Sequence, residues 1–302
     1  MDGVFFLVLA FLTAFISIKL SYYGDLLSKQ TKLGSAFIGG LIIASITSLP
    51  EFVTSISAVV IDNPSLSFGD ILGSNMFNIF VLSIYNIYFF KKKIFFNSNH
   101  SFILDLSILI LEYIFIWLNL RFLTTIVIII LYLIYSYKVI KNSTDSKDES
   151  SNEKNVLSKF IINIILLIIL SILLTISADR ITRIYPSISS STVGAILLGI
   201  TTSLPEVVTT FTLIKLNNYD MAISNILGSN VFNFLVLSIS DFFNDKSIYN
   251  LIDVYSKMYL YGGLLVTVIL LISLKFKNKA LSMLLSLVIS MIYLLVWYFQ
   301  FK

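Results

Sequence analysis

Thr47-Ser48-Leu49-Pro50-Glu51 returns as Thr202-Ser203-Leu204-Pro205-Glu206, each copy inside an apolar stretch. Gly73-Ser74-Asn75-Met76-Phe77-Asn78 returns in the same register as Gly228-Ser229-Asn230-Val231-Phe232-Asn233, 155 residues later. Between Gly39 and Ile84, 20 of 46 positions match their partners without a gap, so the chain is a duplication. Each copy sets a glutamate beside a proline in sequence suited to hydrocarbon. A carboxylate there costs on the order of 3 kcal/mol or more unless it is paired or ligated, so one kept in both halves marks a functional site.

Composition supports that setting. The chain is 57% hydrophobic and 13% charged, with a mean hydropathy of +0.91, which no soluble domain of this size matches. A spanning helix needs about 20 mostly apolar residues. Ten stretches qualify, at about 4 to 22, 36 to 61, 66 to 90, 101 to 119, 122 to 140, 157 to 178, 191 to 216, 221 to 243, 256 to 275 and 280 to 300. None alternates as a barrel strand does, so the reading is an all-α polytopic membrane protein. The absence of cysteine removes disulfides, thiolate metal sites and cysteine catalysis. The only histidine, His100, falls at a span boundary in a polar run and reads as an interfacial side chain.

The N-terminus lacks the basic region of a signal peptide, so the first span is expected to be retained. With both termini outside, 15 of the 21 basic residues fall on inner connections and 6 on outer ones, as the positive-inside rule requires. The net charge of +4 is then a matter of topology, and nothing suggests nucleic acid. The polar run from Asn142 to Asn155 has no apolar residues for a core and reads as a cytoplasmic linker over 142–156. It separates residues 1–141 from residues 157–302, and its acids Asp145, Asp148, Glu149 and Glu153 read as solvated charges. The expected location is the plasma membrane, with the lipid bilayer and inorganic cations as the partners and no obligatory protein partner.

Equivalent points in the halves lie five spans apart. Five is odd, so the halves are expected to be inverted relative to one another, two repeats of five helices with a site at their midplane. Pro50 and Pro205 interrupt otherwise apolar spans, and each frees a carbonyl about one turn earlier, near Ile46, Thr47, Thr201 and Thr202. Helical spacing places Thr47 and Ser48 on a face with Glu51, and Ser74 with Asn78. Thr202, Ser203, Glu206, Ser229 and Asn233 repeat the pattern. Carboxylates, hydroxyls, amide oxygens and free carbonyls make an all-oxygen site, which suits hard cations such as Na⁺ or Ca²⁺. Gly73 and Gly228 fit close helix packing. Asp105 and Glu112, without counterparts in the ninth span, read as interfacial or pair-forming acids. Asp25 and Asp179 read as helix-terminal charges, the latter beside Arg180 and Arg183.

These motifs resemble the cation/Ca²⁺ exchangers, specifically the Na⁺/Ca²⁺ branch with its two alpha repeats, over essentially the whole chain. The resemblance implies a Ca²⁺ site of Glu51 and Glu206 with the Thr47 and Thr202 carbonyls. It implies flanking Na⁺ sites, one from the Ala44 carbonyl, Thr47, Glu51 and Ser74, the other from the Gly199 carbonyl, Thr202, Glu206 and Ser229, with Asn78 and Asn233 between. Where sodium-coupled members commonly carry an aspartate, this chain has Asn233, so the site is expected to hold two formal negative charges. The implied function is Ca²⁺/Na⁺ antiport by alternating access, with no cofactor and no catalysed chemistry. An H⁺-coupled exchanger is the alternative. An intramembrane hydrolase using the paired glutamates is disfavoured because no histidine pattern or activated nucleophile accompanies them. A cation channel suits a saturable site built from two discontinuous helices less well than exchange does.

Overall fold

The computed structural model of the protein describes residues 2–30, 43–89, 92, 94–97, 102–120, 122–142, 155–244, 247–276 and 278–301. Residues 36–42 of the expected second span, His100 and residues 143–154 of the linker lie outside the described residues. The described residues form helices and no strand. Among the described residues seven helices are long and apolar enough to cross a membrane, and the pair Ser190–Thr202 and Leu204–Lys215, bent by 43°, is long and apolar enough for an eighth if it forms one span. Leu49–Val60, with 12 residues, and Ile103–Leu118, with 16, are shorter. The first and sixth spans run further than hydropathy suggested, as helices Asp2–Gln30 and Val156–Ile184. Hydropathy tracks where lipid ends, whereas a helix continues for as long as its backbone bonds repeat.

The duplication is visible in the backbone. Asp62 and Asn217, equivalent residues, both turn the chain at positive φ, 63° and 61°, which aspartate and asparagine adopt more readily than other non-glycine residues. The bonds around them match one for one: Asn63 N to Ala58 O and Asn218 N to Leu213 O are both 2.9 Å, closing the helix end with the six-residue loop of a Schellman motif. The helices that follow, Pro64–Tyr88 and Tyr219–Asp241, contribute the most deeply buried side chains of each half.

The main apolar core lies among Pro64–Tyr88, Ile103–Leu118, Tyr219–Asp241, Val254–Phe276 and Lys279–Phe299. A smaller one joins Asp2–Gln30 to Val156–Ile184, which pack against each other and show Phe5, Leu7, Phe11, Leu157, Ile161 and Ile165 on their outer faces. Close crossing is made possible by glycine. A methyl group on Gly69 would strike the Ser191 carbonyl, and one on Gly194 the Leu66 carbonyl, so Pro64–Tyr88 and the 190–202 segment touch backbone to backbone. Gly73 has the same role against Ala195. The chain widens to π-helical turns over Gly194–Leu198 at this crossing.

Polar contacts sort the helix ends into pairs. Asn63 Nδ2 donates to Asp179 Oδ1 (2.8 Å), Asn119 Nδ2 to Asn250 Oδ1 (3.0 Å), Thr125 Oγ1 to Asp241 Oδ2 (3.3 Å) and Thr192 Oγ1 to Gln300 Oε1 (2.7 Å). A second group joins Lys92 Nζ to the Ile214 carbonyl (2.9 Å) and Asn217 Oδ1 (2.8 Å), Lys138 Nζ to Asp105 Oδ1 (2.6 Å), and Asn86 Nδ2 to Ser286 Oγ (2.9 Å). Asp105 thus pairs as expected, and Asp179 meets Arg183 Nε at 2.8 Å. Nothing is described of the Asp25 side chain. Glu112 departs from expectation: it is wholly buried and neither oxygen has a hydrogen-bond partner. It lies on the same helix stripe as Leu109, Tyr113 and Ile116, the face turned to the core, where spacing outweighs charge.

Candidate cation site

Each half breaks one helix at the same motif. The helix Ile43–Thr47 ends at Thr47 and the segment Gly199–Thr202 at Thr202. Ser48 (φ −89°, ψ 13°) and Ser203 (φ −80°, ψ 0°) step the chain into new helices in which Pro50 and Pro205 are second residues, a place where a missing N–H costs nothing. Glu51 and Glu206 therefore sit in the first turn of one helix and beside the last carbonyls of another. Such half-helix ends gather partial charges of both signs at one depth.

The two breaks face each other. Ser48 Oγ donates to Glu206 Oε1 at 3.0 Å, and Ser203 Oγ donates to Glu51 Oε1 at 3.2 Å, so each serine serves the glutamate of the opposite repeat. Helical spacing had grouped Ser48 with Glu51. The side chain instead reaches across, which no single-helix argument reveals. Ser229 Oγ gives Glu206 Oε1 a second donor at 3.2 Å. Its counterpart Ser74 donates to the Gly199 carbonyl at 3.1 Å, joining residues that the family resemblance had assigned to separate Na⁺ sites.

Thr47, Ser48, Glu51, Ser74, Asn78, Thr202, Ser203, Glu206, Ser229 and Asn233 are all completely enclosed. Ala44 lies within Ile43–Thr47, and its side chain is not described. Glu51 Oε2 and Glu206 Oε2 have no hydrogen-bond partner, and neither do Asn78 Oδ1 and Asn233 Oδ1. Four buried oxygens without donors are the wrong chemistry for a protein interior and the right chemistry for a cation's ligands. Among the described residues no three acidic, histidine or cysteine side chains converge on one point. An ion here is therefore held by the glutamates together with hydroxyl, amide and carbonyl oxygens.

Beneath the glutamates an amide clasp joins Pro64–Tyr88 to Tyr219–Asp241. Asn75 Nδ2 donates to the Asn230 carbonyl (3.2 Å) and Asn230 Nδ2 to the Asn75 carbonyl (2.9 Å). Asn78 Nδ2 donates to Asn230 Oδ1 and Asn233 Nδ2 to Asn75 Oδ1, both at 2.9 Å. Every bond is matched by its exchange partner. The clasp holds the amide nitrogens of Asn78 and Asn233 and leaves their oxygens available. Sequence reasoning missed Asn75 and Asn230, although both stand in the repeated motif.

One further acid stands beside the site. Asp70 is completely enclosed and accepts from Thr54 Oγ1 at 2.5 Å and from Thr202 Oγ1 at 3.3 Å, touching the residue that precedes the second break. The signal was present, an acid inside a span one turn before Ser74, but a search for repeated acids passes over it because its counterpart is Asn225.

The sequence profile described as sodium/calcium exchanger protein matches residues 2–141 and 156–302. An uncharacterised membrane protein of Methanocaldococcus jannaschii is 25% identical over 233 residues, covering 72% of this chain and 76% of its own. Among solved structures, the sodium–calcium exchanger NCX_Mj soaked with Na⁺ and Sr²⁺ superposes with a TM-score of 0.64 at 21% identity, covering 97% of each chain. An H⁺/Ca²⁺ exchanger, CAX, gives 0.74 at 13% identity, over 99% of this chain and 85% of its own. YfkE gives 0.73 at 15% identity, over 100% and 93%. At these identities the structures establish a shared fold.

Proposed function

The chain belongs to the sodium/calcium exchanger protein family, and from that premise we propose that it is a secondary antiporter that carries Ca²⁺ out of the cytoplasm as Na⁺ enters. The observation that carries this reading is the pair Glu51 and Glu206, each with one oxygen fixed by a serine of the opposite repeat and the other enclosed without a donor. Two ionised carboxylates balance one Ca²⁺ or two monovalent ions in a place where net charge is costly. Ca²⁺ takes six to eight oxygens, and the Thr47 and Thr202 carbonyls with Asn78 and Asn233 fill out the set. Na⁺ uses overlapping oxygens, with Ser74 and the Ala44 carbonyl on one side and Ser229 and the Gly199 carbonyl on the other. Overlap makes the ions compete, and competition is what couples their movements.

Ten crossings in two inverted five-helix repeats accommodate this reading. Each polar pair at the helix ends joins two segments that ten alternating crossings would put on one side: Asn63 with Asp179, Asn119 with Asn250 and Thr192 with Gln300 outside, Lys92 with Asn217 and Lys138 with Asp105 inside. The exchanged bonds of the asparagine clasp are what a two-fold relation between repeats produces. Alternating access is assigned to Asp2–Gln30 and Val156–Ile184, which pack against each other and, through a small core that includes Ala58, Leu66, Val193 and Leu198, against the bundle they would slide over.

Proton coupling is the second reading, favoured by asparagine at both 78 and 233. One experiment separates the two. In reconstituted vesicles, ⁴⁵Ca²⁺ uptake is expected to follow an imposed Na⁺ gradient. Uptake that ignores Na⁺ and follows a pH gradient would replace Na⁺ by H⁺.

A further inference from the structure

Asp70 lies outside the pair of glutamates and has no counterpart in the other repeat. Its carboxylate stands at the seam of the halves, taking Thr54 Oγ1 from the first and Thr202 Oγ1 from the second. Neither hydroxyl is obliged to donate there. Thr54 Oγ1 is also 2.9 Å from the Pro50 carbonyl and 3.1 Å from that of Glu51, and Thr202 Oγ1 is 3.0 Å from the Leu198 carbonyl. Threonine in a helix readily bonds back to the preceding turn in this way. Two protons are therefore shared among five oxygens. When the hydroxyls turn back, both carboxylate oxygens lose their donors and each hydroxyl oxygen turns a lone pair toward the acid.

The charge is uncompensated as well. Among the described residues no basic side chain pairs with Asp70, which is completely enclosed. Glu51, whose Oε2 is enclosed without a donor, stands on the same helix as Thr54 and accepts from Ser203, the residue next to Thr202. A buried anion beside a second buried anion calls for a cation between or upon them. The opposite repeat is a control within the same molecule. Asn225, at the equivalent position, is half-buried and donates to Thr210 Oγ1 at 3.0 Å and to the Glu206 carbonyl at 3.4 Å. An amide suffices to hold the fold at that position, so the acid in the first repeat has a different task.

We propose that Asp70, with the hydroxyls of Thr54 and Thr202, forms a further alkali-cation position beside the Glu51–Glu206 site, present in one repeat only. It deepens the exchanger reading and rests on it, since the extra ion raises the positive charge the protein binds when Ca²⁺ is absent. Ion and carboxylate are both hard, and a monovalent ion matches the single charge.

The test counts ions directly. Purified protein is saturated with ²²Na⁺ without Ca²⁺, and bound Na⁺ per chain is compared between the parent and Asp70→Asn, with ⁴⁵Ca²⁺ binding in Na⁺-free buffer as the check on folding. Asp70→Asn is expected to bind one Na⁺ fewer, while Ca²⁺ affinity without Na⁺ stays within about threefold, under ~1 kcal/mol. An unchanged Na⁺ count in folded Asp70→Asn overturns the proposal. Should that variant lose Ca²⁺ binding altogether, Thr54→Val keeps the acid and removes a ligand. It is expected to raise the Na⁺ concentration needed to fill the last position, and an unaltered Na⁺ isotherm overturns the proposal equally. Na⁺-driven ⁴⁵Ca²⁺ uptake by the parent is scored separately, so failure of the exchanger reading and failure at Asp70 are told apart.

Discussion

Glu51 and Glu206 differ in how they are held. Glu206 Oε1 takes two serine hydroxyls, Ser48 and Ser229, whereas among the described residues Ser203 is the one serine on Glu51. Charge removal at either acid should be decisive: Glu51→Gln or Glu206→Gln is expected to abolish ⁴⁵Ca²⁺ uptake in vesicles while the purified protein stays folded, and uptake near the parent's in either variant would sink the assignment. Serine removal should be unequal. A hydrogen bond to a charged group is worth about 1.5–3 kcal/mol, so Ser203→Ala should weaken Ca²⁺ binding by roughly tenfold or more, and Ser48→Ala by less because Ser229 remains. Equal losses, read by ⁴⁵Ca²⁺ titration, would mean that the serines do not position the carboxylates. The glutamates were legible because each is an acid in hydrocarbon and occurs twice. Asp70 was not, since it occurs once, and the cross-repeat serines were not, since spacing within a helix says nothing about the helix opposite.

Helix breaks were legible because proline removes a backbone donor whatever surrounds it, and both breaks fall where Pro50 and Pro205 put them. Helix ends were less so. Asp2–Gln30 runs eight residues past the expected 22 because polar residues leave the hydrocarbon without leaving the helix. The π-helical turns at Gly194–Leu198 had no signal beyond Gly194 at their start and Gly199 just after, yet they bring the chain against Gly69 and Gly73. That crossing is open to test. In Gly69→Val the side chain would overlap the Ser191 carbonyl, and overpacking of this kind costs about 1–3 kcal/mol. Thermal unfolding in detergent should fall by several degrees. Valine at Gly3, where nothing lies within 4 Å, is the matched control and should leave it unchanged.

Across the whole molecule the absence of cysteine is an experimental advantage, because any single introduced cysteine reports its own side of the membrane. With ten crossings, Asn250→Cys should react with an impermeant maleimide added outside intact cells, and Asn217→Cys only after permeabilisation. Labelling of both from outside would rule out that topology. Linker charge should matter little: Asp145→Asn or Glu149→Gln is expected to keep transport within about twofold, as solvated pairs contribute roughly 0–1 kcal/mol. The asparagine clasp leads in another direction. Its bonds exchange residue for residue, Asn75 with Asn230 and Asn78 with Asn233, which is the pattern of an isologous contact between identical subunits. A single five-helix ancestor, inserted in both orientations, would have met its own copy through this same contact before any fusion joined them. Severed within the linker and co-produced, residues 1–148 and 149–302 should still find each other through this contact and transport.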